Sequence, residues 1–409
     1  MAVRLGARDF PSGTPLYHLF RWNERRRWRQ DWRYRLLRDP ARAPAALQTP
    51  LDTAIGNPDA AVHAAVFAAC EALRAPPPDG TMPRRILVIR LSAFGDFVQA
   101  LGPFTAIRRH HAGDHITLLT TAPFTSFAAE LGYFDDILVD QRPGLFDLGG
   151  WLRLRRLLRT GPYDRVYDLQ TSQRTSLYAW LLRPGMPEWS GIVWGCSHPH
   201  ANLDRDSQHA IEEQAEQLLM AGIYPTPPTP ALPPLARTLP HALIGRDFAL
   251  LVPGASPQHP AKRWPVEGFA AVARVLDDAG VRPVVVGAAA EAALGQAIRD
   301  ACPAAVDLVG QTADIALLAA LAQHARLTIG NDSGVCHLAA AAGCPVIVLF
   351  SRETDPARHA PRGACVRILA EPDLNDLLAG RVVDEALAVL RHREPTGDCA
   401  SAVMAGHRE

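Results

Sequence analysis

Three short stretches carry side chains that could act together on a phosphorylated substrate. RLSAFGDFVQAL (90–101) puts Asp96 directly after Gly95, where an apolar run gives way to a helical one. PGASPQHPAKRW (253–264) holds Lys262, the only lysine among 42 lysine and arginine residues. GNDSGVCH (330–337) brings Asp332, Ser333, Gly334 and His337 to another such junction. A carboxylate at a helix start can be a cap or a general base. An ammonium beside Gly254 and the Ser256 hydroxyl suits a phosphate, as do the backbone N–H groups that open a helix. Taken singly, each stretch also has a plain reading as a helix cap, a surface charge or a structural histidine. Taken together, they set an acidic group against two groups able to hold a diphosphate.

The surrounding elements must place these loops at one end of a sheet. RRILVIRL is a short β-rich apolar run without alternation, which suits a strand buried on both faces of a parallel sheet. Helical and strand-like stretches then alternate through HITLLTT, FDDILVD and DRVYDLQ. A proline-rich segment, TPPTPALPPLARTLPHAL (226–243), interrupts the pattern and reads as a linker. The alternation resumes with FALLVPG, RPVVVGA, VDLVG, ARLTIGND and PVIVLFS and closes on a helical stretch, LNDLLAGRVVDEALAVLRHRE. The expectation is an α/β chain with two Rossmann-like, doubly wound halves facing a central cleft, spanning 83–240 and 241–391. Ligands in such sheets bind beyond the carboxyl ends of the strands. A flexible tail, 392–409, is expected after them.

Residues 1–82 differ in character. RWNERRRWRQDWRYRLLRDP (21–40) is dense in Arg and Trp, and Trp28, Trp32 and Leu36 fall on one helical face. A basic, tryptophan-bearing helix suits peripheral contact with an anionic membrane. The alternative is that the tryptophans pack on the neighbouring domain and the arginines are solvated.

Composition narrows the function. Acidic and basic residues number 42 each, so no global field draws the chain to nucleic acid. Seven scattered cysteines without a CxxC suggest reduced thiols rather than a zinc site or a disulfide framework. MAVRLGARDF does not read as a secretory signal. These features favour a cytoplasmic protein, with the inner face of the cytoplasmic membrane as the place for any peripheral contact. Neither GxxxxGK[ST] nor GxGxxG occurs, so an ATPase or a dinucleotide oxidoreductase is not supported. No metal-ligand spacing stands out and no cofactor is expected. A diphosphate leaving without a metal then needs fixed cations and N–H dipoles.

RILVIRLSAFGDFVQALGPFTAIRR, YDLQTSQRTSLYAWLL, PGASPQHPAKRWPVEGFAAVARVL and LTIGNDSGVCHLAAAAGCPVIVLFSRETDP resemble glycosyltransferase family 9, the heptosyltransferases, over about 84–391. The resemblance implies a GT-B fold and metal-independent, inverting transfer from a nucleotide sugar. ADP-heptose is the usual donor and the lipid-linked inner core of lipopolysaccharide the usual acceptor. It implies that Asp96 is the catalytic base and that Lys262 and Ser256 meet the donor phosphates. Asp332, Ser333, Gly334 and His337 would lie beside the donor, and Glu291 is the nearest match to a ribose-binding glutamate. Arg90, Ser92 and Arg174 become candidate contacts to an acidic acceptor. The loop SPQHPAK departs from the family in its two prolines and histidine. Two alternatives stay open: a family-9 transferase with another nucleotide sugar or acceptor, and a non-catalytic sugar-nucleotide-binding protein.

Overall fold

The computed structural model describes residues 82–391, apart from 201, 203, 204, 224, 225, 236 and 257. The helical reading of 21–40 and the tail from 392 onward lie outside the described residues. What is described groups into two compact units. One holds residues 82–92 and 102–228, the other 93–101 and 229–391. The division falls after Pro228, within the proline-rich segment 226–243. The short segment 93–101 groups with the second unit although its strand belongs to the first.

The first unit is built on β1 (Arg85–Ile89), followed by α1 (Phe94–Gln99) and α2 (Leu101–His110). Then come β2 (His115–Thr120), α3 (Thr125–Glu130), β3 (Asp136–Val139), α4 (Leu148–Leu158) and β4 (Arg165–Asp168). It closes with α5 (Gln173–Leu181), β5 (Glu188–Gly191), β6 (His198–Pro199) and α6 (Ala210–Met220). All six strands are parallel, in the order β3-β2-β1-β4-β5-β6. Ile86, Leu87, Val88 and Ile89 are fully buried, which is why β1 reads as an unbroken apolar run. Leu154 and Leu158 of α4 pack with Tyr178 of α5 over Leu87, Ile89 and Val166.

The second unit repeats the plan. Its elements are β7 (Phe248–Val252), α7 (Val266–Asp278), β8 (Arg282–Val285), α8 (Ala292–Ala301) and β9 (Val306–Asp307). After them come α9 (Ile315–His324), β10 (Leu327–Asn331), α10 (Gly334–Ala341), β11 (Val346–Phe350), α11 (Pro356–His359), β12 (Val366–Ala370) and α12 (Ala379–Arg391). The order is β12-β11-β10-β7-β8-β9, again all parallel. Leu251, Phe269, Val285, Ile298, Ile329 and Leu349 form the core between sheet and helices.

Each sheet therefore reverses its strand order once, between β1 and β4 in the first and between β7 and β10 in the second. Loops that leave the carboxyl ends of these strand pairs diverge to opposite faces and leave a crevice for ligand. The lysine loop follows β7 and the NDSG turn follows β10. Two strand-to-helix loops separated by more than 60 residues in sequence are thus neighbours at one switch point.

Candidate active site at the switch points

Lys262 sits on a braced loop. The side chain of Asn331, fully buried at the end of β10, accepts from the Trp264 N–H at 3.0 Å and donates to the Pro253 carbonyl at 2.8 Å. Arg263 Nη2 donates to the Ala255 carbonyl at 3.1 Å. Trp264 is itself anchored, with its indole N–H on the Leu377 carbonyl at 2.9 Å and its ring edge-on to Phe269. Gly268 makes room for that ring, since a Cβ there would lie 2.4 Å from it. Both ends of the loop are therefore tied to the sheet, and Lys262 between them is not a loose surface lysine.

Lys262 Nζ lies 2.7 Å from Asp332 Oδ2, with Asp332 almost wholly buried. Ser333 is the N-cap residue of α10, yet its side chain makes no capping hydrogen bond. The Ser333 hydroxyl instead makes a long contact to Cys336 Sγ at 3.9 Å. The opening N–H groups of α10 are thus not served by the Ser333 hydroxyl, and the turn keeps the character of an anion site. Ser256 is exposed and donates to Gln258 Oε1 at 2.5 Å. Glu291, just before α8, accepts from the Ala288 N–H at 2.8 Å. Its carboxylate lies against the lysine loop: a Cβ on Gly254 would fall 1.9 Å from Glu291 Oε1, and one on Gly287 would fall 2.5 Å from Oε2.

Asp96 reaches this cluster on α1, which packs on α10 through paired glycines. A Cβ on Gly334 would lie 2.6 Å from the Phe94 ring and 2.8 Å from the Gly95 nitrogen. One on Gly95 would lie 3.0 Å from His337 Cδ2. His337 continues the contact, with Nδ1 3.1 Å from Gln99 Nε2. With the amide as donor, Nδ1 accepts and the proton sits on Nε2. Asp96 Oδ2 accepts from the Ala93 N–H at 3.1 Å, so the carboxylate also steadies the start of its own helix. This packing is the physical reason that 93–101 groups with the second unit.

His359, at the end of α11, registers the cluster electrostatically. Its pKa is lowered, first by partial burial and then by the neighbouring Arg358 charge; Asp332 and Asp96 pull it up and Lys262 pulls it down. Asp96, Lys262 and Asp332 therefore all lie close enough to this imidazole to act on its charge.

The first sheet's switch point holds a second set of groups. Arg90 is buried, with Nη1 donating to the Leu169 carbonyl. Gln170 Oε1 accepts from the N–H groups of both Leu91 and Ser92, at 2.8 and 3.0 Å, and so fixes the strand end that leads to Asp96. Asp168 is fully buried and accepts from the Thr171 N–H at 3.1 Å. Burial pushes its carboxyl up to about 7, against hydrogen bonds from Thr175, Thr171 and Gln170 and the charge of Arg90. Thr171 has φ of 44°, a strained conformation for a β-branched residue. Arg174 donates to the Pro143 carbonyl at 3.0 Å and stacks over Trp151, 5.5 Å from the ring centroid. Arg90 and Arg174 are thus engaged with the protein's own carbonyls, and Arg90 is enclosed within the fold.

The family model described as "Glycosyltransferase family 9 (heptosyltransferase)" matches residues 151–377. The chain belongs to glycosyltransferase family 9. It is 26% identical over 306 residues to lipopolysaccharide heptosyltransferase 2 of Salmonella typhimurium (strain LT2), a match covering 68% of this chain and 87% of that one. Among solved structures, the family-9 glycosyltransferase of Veillonella parvula DSM 2008 superposes with a TM-score of 0.66 at 21% identity, over 75% of this chain and 97% of the other. ADP-heptose lps heptosyltransferase II of E. coli gives 0.62 at 22%, over 75% and 98%. The fold is GT-B, with a helical extension expected before it, and the protein is a glycosyltransferase of the heptosyltransferase type.

Several residues of this family-9 site escape a reading by motif. Asn331 was visible only as part of NDSG, yet its amide ties β10 to the lysine loop. Gln170 and Asp168 stand in DLQTSQR, where Arg174 has the more evident ligand chemistry. Gln99 looks like an ordinary helix residue until His337 is found opposite. Among the described residues no group of three or more His, Cys, Asp or Glu is arranged to hold a metal ion, and no helix is long and apolar enough to cross a membrane.

Proposed function

We propose that this chain moves a heptose from ADP-heptose to the lipid-linked inner core of lipopolysaccharide, with inversion at the anomeric carbon. Family membership and the activity named for its relatives support the sugar and the acceptor. The observation that carries the reading is the Lys262–Asp332 pair at the β7/β10 switch point, next to a helix that delivers Asp96.

In this mechanism Asp96 takes the proton of the acceptor hydroxyl. The acceptor oxygen forms its bond to the anomeric carbon as the bond from that carbon to the diphosphate oxygen breaks. The departing electron pair stays on the diphosphate, which meets Lys262, Ser256 and the start of α10 at Ser333 and Gly334. Positioned general-base catalysis contributes about 10²–10⁴-fold, and pre-aimed cation and N–H dipoles stabilise the charge that develops on the leaving group. Asp332 orients Lys262, His337 lies beside the donor, and Glu291 meets the ribose from the far side of the lysine loop. Ser92 and Arg174 are the proposed contacts to the acidic acceptor, and Arg90, buried against the Leu169 carbonyl, steadies the end of β1. The work is done in the cytoplasm on an acceptor anchored in the inner face of the membrane.

The test is ADP release from ADP-heptose in the presence of heptose-deficient lipopolysaccharide, with the product linkage read by NMR. Acceptor-dependent ADP release and an inverted linkage are expected. Turnover with a different nucleotide sugar and none with ADP-heptose would reject the donor.

A further inference from the structure

The outer face of α4 does not take part in the chemistry above, and its composition is unusual for a solvated surface. The loop before it exposes Leu145 and Phe146, with Phe146 92% accessible. On the helix, Leu148 is 76% accessible and Leu152 lies on the same side one turn later. The stripe then turns basic, since Arg155, Arg156 and Arg159 line one shallow groove with Leu152. The opposite face is ordinary core, where Leu154 and Leu158 are buried. Two of the arginines are held in place: Arg155 and Arg159 donate to the Arg183 carbonyl at 3.1 and 3.5 Å. Arg183 in turn lays its guanidinium 4.0 Å over the ring of the half-exposed Trp180.

Single exposed apolar residues need no explanation, but a contiguous group of them beside fixed cations does. Residues 142–159 carry five arginines and one acid, in a chain whose charges balance overall. That acid, Asp147, caps α4 by accepting from the Gly150 N–H at 2.7 Å, and its other oxygen lies 3.6 Å from the guanidinium of Arg153, an exposed contact that leaves most of that arginine in water. A second copy of the chain fits poorly here, because a two-fold contact would bring the arginines of both copies together. Nucleic acid would match the charge and leave Phe146 and Leu148 in water. A bilayer with anionic headgroups satisfies both halves: apolar side chains enter the headgroup–acyl boundary, arginines meet the phosphates, and a tryptophan sits at the interface.

We propose that the face formed by Phe146, Leu148 and Leu152 with Arg153, Arg156 and Arg159 is a docking surface for a bilayer bearing anionic phospholipid headgroups. It deepens the membrane-face reading above, and its test contains neither donor nor acceptor, so it stands or falls apart from the sugar chemistry. The full chain is sedimented with vesicles of equal parts phosphatidylglycerol and phosphatidylcholine, and with phosphatidylcholine alone. Binding is expected to the anionic vesicles only and to weaken as salt is raised. Phe146→Ser with Leu148→Ser is expected to lower partitioning at least tenfold. Arg153→Gln with Arg156→Gln is expected to lower it about fivefold per arginine. Circular dichroism and melting temperature confirm that the variants fold, because every altered side chain is exposed. The proposal is overturned if the wild type ignores anionic vesicles, or if both double variants bind as the wild type does. It is also overturned if light scattering shows a dimer that Phe146→Ser with Leu148→Ser dissociates, which would make the face a contact between copies.

Discussion

Lys262 Nζ stands 2.7 Å from Asp332 Oδ2, linking the two loops that diverge where the second sheet reverses its strand order. Neither partner is fully solvated: Lys262 is 18% and Asp332 8% exposed at the side chain. The ammonium is therefore held at a fixed point, largely stripped of solvent, before any phosphate arrives. Pre-organisation of this kind lowers the entropy lost on binding. Arginine would bring a wider planar group with different donor directions to the same point. Lys262→Arg is expected to weaken ADP affinity by about tenfold although charge is kept, and Lys262→Ala by more. Titration calorimetry with ADP measures both, and an unchanged dissociation constant for the arginine variant would show that the lysine has no special place.

Removing the other partner has a different signature. Asp332→Asn leaves a partly buried ammonium without its carboxylate. The pair retains some solvent, so the loss of stability is expected near the lower end for ion pairs of this kind, about 1–2 kcal/mol. ADP would supply the missing negative charge, so the rise in melting temperature on adding ADP should be larger for the variant than for the wild type. Equal shifts in thermal-denaturation scans would mean that phosphate and Lys262 do not meet.

Asp96 provides the contrasting case, where binding should survive and turnover should not. Asp96→Asn keeps the shape and can still accept from the Ala93 N–H. It cannot take a proton. The expected result is a fall in kcat of about 10²–10⁴-fold, with ADP-heptose affinity within about twofold of the wild type. A parallel loss of affinity would instead assign Asp96 to donor binding.

Much of this arrangement is legible in the residues, and the part that is not has a common cause. The unbroken apolar runs RILVI and FALLV announce strands buried on both faces, because an all-parallel sheet leaves no solvated side. Strand, glycine turn and small-residue helix likewise mark the ends where ligands bind. Sequence gives no hint that α1 packs on α10, because that contact depends on Gly95 and Gly334 meeting across some 240 positions. Nor does it reveal that Asn331 and Gln170 spend their amides on backbone groups of distant loops. Buried amides of this kind carry no motif; their identity is set by which unpaired backbone groups the fold leaves within reach. Arg90 shows the converse, a residue whose position after β1 suggested a ligand contact while its guanidinium is buried against the Leu169 carbonyl.

The glycine contact makes a prediction about the geometry of the site. A methyl group on Gly334 would meet the Phe94 ring at 2.6 Å and the Gly95 backbone at 2.8 Å, and backbone cannot rotate away. Gly334→Ala is expected to cost about 1–3 kcal/mol through overpacking. It should also push α1 off α10 and misplace Asp96, so kcat should fall further than ADP affinity. Adding Phe94→Ala relieves the ring clash and leaves the backbone one. The double variant should therefore regain only part of the stability, as read from urea midpoints. Full recovery would assign the close packing to the ring alone.

Asp168 gives a pH dependence with a definite sign. Its carboxyl is buried and raised to about 7, from an ordinary value near 3.8. Between about pH 4 and pH 7 the unfolded chain gives up this proton and the folded chain keeps it. The folded state then binds more protons than the unfolded one, so this group makes stability fall as pH rises through that window and level off above it. His111 acts in the opposite direction. Burial lowers its imidazole to about 4, despite its hydrogen bond to Asp114, so it removes stability as pH falls below about 6.5. Asp168→Asn isolates the first effect, because the His111 contribution is common to variant and wild type. The amide oxygen can still accept from the Thr171 N–H. The stability of the variant relative to wild type should therefore grow steadily from about pH 4 to pH 7 and stay constant above. A difference that does not change between pH 4 and pH 8, measured from urea midpoints, would mean that Asp168 is ionised throughout in the folded protein.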